Sequence, residues 1–65
     1  MSTISISKVE TLQRGDILCR LTDGLFFKVI KVDSISIALQ ATTGNSICFM
    51  PANQFKSSEW CLVEN

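Results

Sequence analysis

Sixty-five residues, 46% of them hydrophobic and 18% charged, make a chain long enough for one small core and too apolar for disorder. Six basic and six acidic side chains cancel and lie scattered, which removes both the basic field that steers nucleic acid and the acidic field of a phosphate mimic. A chain this short buries only ~60% of the surface its unfolded form exposes, so its stability is modest and it has apolar surface to spare.

Residues 3–7 alternate polar and apolar, with Ile4 and Ile6 on one side, which suits an edge strand or a loose arm. Residues 8–14 hold Val9 and Leu12 in an irregular lead-in whose two apolar groups close one end of the core. Gly15-Asp16 then turns the chain, glycine accepting a positive φ and aspartate bonding nearby amides. Residues 16–21 read as a strand, predicted to place Ile17, Cys19 and Leu21 on the core and Leu18 and Arg20 on the other face. Thr22-Asp23-Gly24 is a hairpin turn of the Asp-Gly type. In the strand over residues 25–32 strict alternation fails, because Lys28 and Lys31 fall on opposite faces. A β-bulge near residues 29–31 returns both lysines to solvent, and such bends help small barrels to close.

Asp33-Ser34 is the polar break of a second hairpin, and residues 35–41 show the clearest alternation, with Ile35, Ile37 and Leu39 on the core. Residues 42–45 turn on Gly44. The strand over residues 46–50 is expected to face Ile47 and Phe49 inward and Cys48 and Met50 outward. Pro51 ends it, having no N–H for the ladder, and residues 51–55 fit one helical turn with proline first. Beyond a polar link, residues 59–64 form a last strand with Trp60 and Leu62 on one face and Cys61 and Val63 on the other. The layout is all-β. It describes a small five-stranded SH3-like barrel with a single helical turn between strands four and five, one domain over residues 1–65, with residues 1–8 as edge strand or arm. An OB-type barrel needs a longer chain and a true helix between its third and fourth strands.

The inventory of reactive groups is short. There is no histidine, and Cys19, Cys48 and Cys61 lie far apart with no C-x-x-C pair, so a tetrahedral zinc site is excluded. The thiols read as buried small hydrophobes in a reducing compartment, with one intramolecular disulfide as the alternative. A general base requires a strongly perturbed carboxylate, lysine or cysteine, hard to achieve by burial in so thin a domain. Only Cys19 has a cationic neighbour, Arg20. Arg14-Gly15-Asp16 spells an integrin-binding tripeptide but reads as a turn, and Asp16 with Asp23 lacks the further oxygen ligands of a calcium loop. The expectation is a non-enzyme with no cofactor and no metal. Residues 1–7 have no secretory pattern, Ser2 is not the glycine of a myristoylation signal, and no apolar run approaches ~20 residues, which points to the cytoplasm and away from a membrane.

Surplus apolar surface on a neutral chain points to a protein partner or a homo-oligomer, with Leu18, Leu25, Phe26 and Met50 as the contact surface. The alternative is a nucleic-acid-binding accessory protein that stacks bases on exposed aromatic rings beside Arg20, Lys28, Lys31 and Lys56. Four cations neutralise too few phosphates for tight binding at physiological salt.

Gly15-Asp16-Ile17, the run Phe27-Lys28-Val29-Ile30-Lys31-Val32, residues 35–39, residues 51–55 and Trp60-Cys61-Leu62-Val63 resemble the small SH3-like proteins of phage and mobile elements. The same layout resembles KOW and Tudor-like modules, although their glycine and basic loop are not recognisable here. Ser46-Ile47-Cys48-Phe49-Met50-Pro51 is similar to the V-Q-I-Y-P segment of the plasmid-encoded type II dihydrofolate reductases. That family is an SH3-like tetramer with one central pore, and the resemblance implies a third possibility, an oligomeric pore-site enzyme. Cys48, Phe49 and Met50 stand where that family has its folate- and nicotinamide-binding glutamine, isoleucine and tyrosine, so the hydrogen-bonding groups are replaced.

Overall fold

Two aspartates set the turns around which the sheet is laid down. The computed structural model describes residues 2–7 and 9–64, and Met1, Lys8 and Asn65 lie outside the described residues. Its strands are β1 (Ser2–Ser5), β2 (Ile17–Arg20), β3 (Phe26–Val32), β4 (Ser36–Ala41), β5 (Ile47–Pro51) and β6 (Trp60–Glu64). In the β2–β3 turn, Asp23 Oδ1 accepts the Leu25 N–H at 3.2 Å, and Gly24 takes φ +74°, a value glycine adopts without strain. In the β3–β4 turn, Asp33 Oδ1 accepts the N–H groups of both Ile35 and Ser36 at 2.8 Å. Those two amides, Ser36 first, hold the Asp33 carboxyl below the ordinary carboxylate range.

All pairings are antiparallel, and the order across the sheet is β1-β6-β2-β3-β4-β5. β1 and β5 occupy the two ends and do not pair with each other, so the sheet is open. Six strands replace the expected five because Ser2–Ser5 pairs with β6, Ser2 opposite Glu64. The single expected helical turn becomes three turns of 3-10 helix, Val9–Thr11, Ala52–Gln54 and Ser57–Glu59. Each is a connector of the short kind this tight helix serves. Among the described residues no helix is long and apolar enough to cross a membrane.

β3 carries the expected bulge. Val29 pairs with Leu39 and Lys31 with Ala38, which leaves Ile30 as the extra residue. Lys28 and Lys31 are thereby both exposed, while Val29 between them is fully buried. The centre is built on Leu18, Val29, Ile37 and Leu39, all at 0% exposure. Three aromatic rings close it: Phe27 meets Trp60 edge to face at 5.4 Å, and Phe55 stacks on Trp60 at 5.7 Å.

Two strands face the opposite way from the sequence expectation. In β2 the core residue is Leu18, because it stands opposite Phe27 on one side and Leu62 on the other. Ile17 and Cys19 take the outer face and are half-buried, and Leu21 is exposed beyond the strand end. In β5, Cys48 is opposite Leu39 and Met50 opposite Ile37, so those two side chains turn inward against the core. Ile47 and Phe49 turn outward, 61% and 64% exposed. Ile35 is also exposed rather than buried, since it belongs to the Asp33 turn and precedes β4.

Candidate functional site

The candidate site grows from the edge position of β5. Its sequence, Ile47-Cys48-Phe49-Met50-Pro51, carries no charge, and the strand pairs on one side only, with β4. Edge strands are normally guarded by lysines, prolines or bulges, because their free N–H and C=O groups are a template for another chain. Here only the terminal Pro51 interrupts the ladder. Ile47 and Phe49 stand on the outer face, Phe49 opposite Ala38, whose small side chain is 5% exposed.

Next to this edge is a groove of about 380 Å³ whose lining includes Leu25, Ile47, Phe27, Ala41, Cys48 and Arg20. It opens between the β2–β3 turn and the β4–β5 turn, which supplies Thr43 and Gly44. Arg20 is the single charged group of the lining, and its charge is already engaged. Its Nη2 donates to Asp23 Oδ2 at 2.7 Å, and its Nε donates to both Asp23 oxygens at 3.1 Å. Its guanidinium lies 4.8 Å from the Phe27 ring centroid and 5.8 Å from that of Trp60. The hydrogen bonds to Asp23 raise the Arg20 pKa, and those from Arg20 depress that of Asp23. The groove thus combines apolar side chains with the hydroxyls of Thr43 and Ser46 and an Arg20 whose charge is paired with Asp23.

The four residues expected as a protein contact divide. Leu18 is fully buried and leaves the surface, because it packs between Phe27 and Leu62. Met50 is half-buried and packs on the core. Leu25 and Phe26 are exposed at 46% and 43%, Leu25 on the groove and Phe26 on the outer face opposite Cys19. Ile47 and Phe49 were expected inside; Pro51, a residue confined to strand edges, is the sequence signal that marks β5 as outermost.

The four cations expected on one side are separated. Lys28 and Lys31 share the outer face through the bulge, opposite Gln40 and Ala38. Arg20 points to the core face, and Lys56 lies between the last two 3-10 turns. Among the described residues no three His, Cys, Asp or Glu side chains gather as a metal cluster.

Compared with known proteins, the chain matches no protein-family model, no curated protein and no solved structure.

Proposed function

We propose that this chain is a non-enzymatic SH3-like interaction module that adds an extended protein segment to its β5 edge, first of all β5 of a second copy. The observation that carries this reading is an uncharged edge strand presenting Ile47 and Phe49 to solvent. The SH3-like assignment is supported by the meander β2-β3-β4-β5, the bulged β3, and β6 returning beside β2. Two copies of β5 related by a twofold axis satisfy both free edges with the same residues, and a chain of zero net charge brings no net repulsion to the encounter. The resemblance to small proteins of phage and mobile elements goes with the fold and attaches no reaction to it.

Full burial of a phenylalanine is worth about 1.5–3 kcal/mol. The 64% of Phe49 still exposed therefore offers about 1–2 kcal/mol per copy, or about 2–4 kcal/mol for the pair. Association costs of ~4–15 kcal/mol make the dimer transient and concentration-dependent. Sedimentation over a wide concentration range tests this. Phe49→Asp is expected to weaken self-association by about 30- to 800-fold, at about 1.4 kcal/mol per decade. A wild-type chain that stays monomeric and captures no extended peptide refutes the reading.

A second reading rests on Phe26, Lys28 and Lys31, which share the outer face of β3 as one ring and two cations. It describes weak single-strand nucleic-acid binding by base stacking. A salt titration separates the two, because phosphate contacts weaken steeply with salt and strand addition does not. A pore-site reductase is the least supported, since Cys48 and Met50 turn to the core and Phe49 offers no hydrogen bond.

A further inference from the structure

Strand register puts two of the three thiols side by side. Cys19 on β2 is the direct partner of Cys61 on β6, so both side chains leave the sheet on one face, opposite to that of Leu18 and Leu62. Their row continues to Ser5 on β1 and to Phe26 on β3. Ile17 and Val63 form the neighbouring pair on the same face. Both thiols are free and half-buried, and neither belongs to the β5 surface.

The kind of pair decides what the two sulfurs can hold. Leu21 N–H donates to Glu59 O at 2.8 Å, which makes those two residues a hydrogen-bonded pair. Alternation along the ladder then makes Arg20 and Trp60 a non-hydrogen-bonded pair, and Cys19 and Cys61 a hydrogen-bonded one. At such positions the Cα atoms stand ~5.5 Å apart and the Cβ atoms near the upper end of ~4.5–5.5 Å. A disulfide needs its Cβ atoms at ~3.8 Å, so direct closure would draw the two Cβ atoms together by more than an ångström, although the Cα spacing already lies in the range that disulfides use. An interposed metal ion requires no such movement. Two metal–sulfur bonds of ~2.3 Å, the length thiolates make to zinc, let the sulfurs stand up to about 4.6 Å apart when the ion is linear between them.

The geometry points to a two-thiolate site for a soft, thiophilic monovalent cation of the Cu(I) class, bridging Cys19 and Cys61 across β2 and β6. Two S–metal bonds form, both thiol protons pass to solvent, and no electron is transferred. Softness follows from the ligand set: the row offers two sulfurs, one hydroxyl and an aromatic ring, with no imidazole and no carboxylate. Burial, and after it the neighbouring Cys61, raise the Cys19 pKa, so the ion competes with protons for its ligands.

Titration of the reduced chain with Cu(I) against a competing chelator, read by native mass spectrometry, tests the site. One equivalent is expected to bind the wild type and Cys48→Ser alike. Cys19→Ser and Cys61→Ser are each expected to lose at least about 100-fold in affinity, with Cys19→Ala and Cys61→Ala as second variants and Trp60 emission as the check on folding. Zn(II), which wants four ligands, is expected not to bind at one equivalent. Loss of uptake in Cys48→Ser or retention in either partner variant overturns the proposal. So does quantitative formation of a Cys19–Cys61 disulfide with oxidised glutathione in a chain that takes up no Cu(I).

Discussion

Truncating Leu18 to alanine separates the observed register of β2 from the alternative one residue away. Leu18 is 0% exposed and stands between Phe27 and Leu62, so nothing near it is free to fill the space left behind. Core leucine-to-alanine changes of this kind cost about 3–5 kcal/mol. At ~0.05–0.15 kcal/mol per residue, a 65-residue chain has about 3–10 kcal/mol in all, so Leu18→Ala removes from a third to the whole of it. Where the variant still folds, its melting temperature falls by about 12 °C or more, at about 4–8 °C per kcal/mol. Ile17→Ala, on the outer face and half-buried, is expected to cost only about 1–1.5 kcal/mol. Urea unfolding followed by the fluorescence of Trp60, the single tryptophan, measures both. Equal costs, or a larger cost at Ile17, refute the register, because slipping a strand by one residue exchanges its two faces.

Gly24→Ala is expected to destabilise by about 1–2 kcal/mol and Gly24→Asn by less, since φ is +74° and the open space around the site leaves backbone strain as the cause; chemical denaturation reads the difference. The depressed pKa of Asp33 contributes stability that is present above its unfolded value of about 3.9 and is lost as pH falls through the lower folded value. Asp33→Ala is therefore expected to lower the melting temperature at neutral pH and to flatten the loss of stability below about pH 4, as followed by circular dichroism. Arg20→Lys keeps the charge but lacks the planar fork that bonds Asp23 while lying over Phe27. The Asp23 pKa is expected to rise toward its ordinary value in an NMR titration, with a concurrent change in Trp60 emission.

Local chemistry made the elements legible in the sequence, but it did not say which way they face. The two aspartate turns, the bulge after Val29 and the stop at Pro51 depend on residues next to one another in the chain, and all four appear where the sequence puts them. The facing of β2 and β5 depends on partners far along the chain. Ile17-Leu18-Cys19 and Ile47-Cys48-Phe49-Met50 are apolar on both sides, so alternation alone is degenerate. Leu18 is chosen by Phe27 and Leu62, and Cys48 and Met50 by Leu39 and Ile37. The proposed edge inherits that ambiguity, since it consists of the two residues, Ile47 and Phe49, that alternation places inside. The thiol pair is a purely non-local feature: Cys19 and Cys61 meet only because β6 returns beside β2.

That return has a consequence for how the molecule is made. β6 is the last strand of the sheet in sequence, yet it is inserted between β1 and β2. While synthesis has not reached residues 60–64, β1 has no neighbour, β2 has a bare flank, and Trp60 is missing from the ring cluster with Phe27 and Phe55. The nascent chain can already pair β2, β3, β4 and β5 as a meander, but β1 and the ring cluster stay incomplete. β6 then docks between β1 and β2 as a later step, the slower kind of event expected of pairings that join strands far apart in sequence.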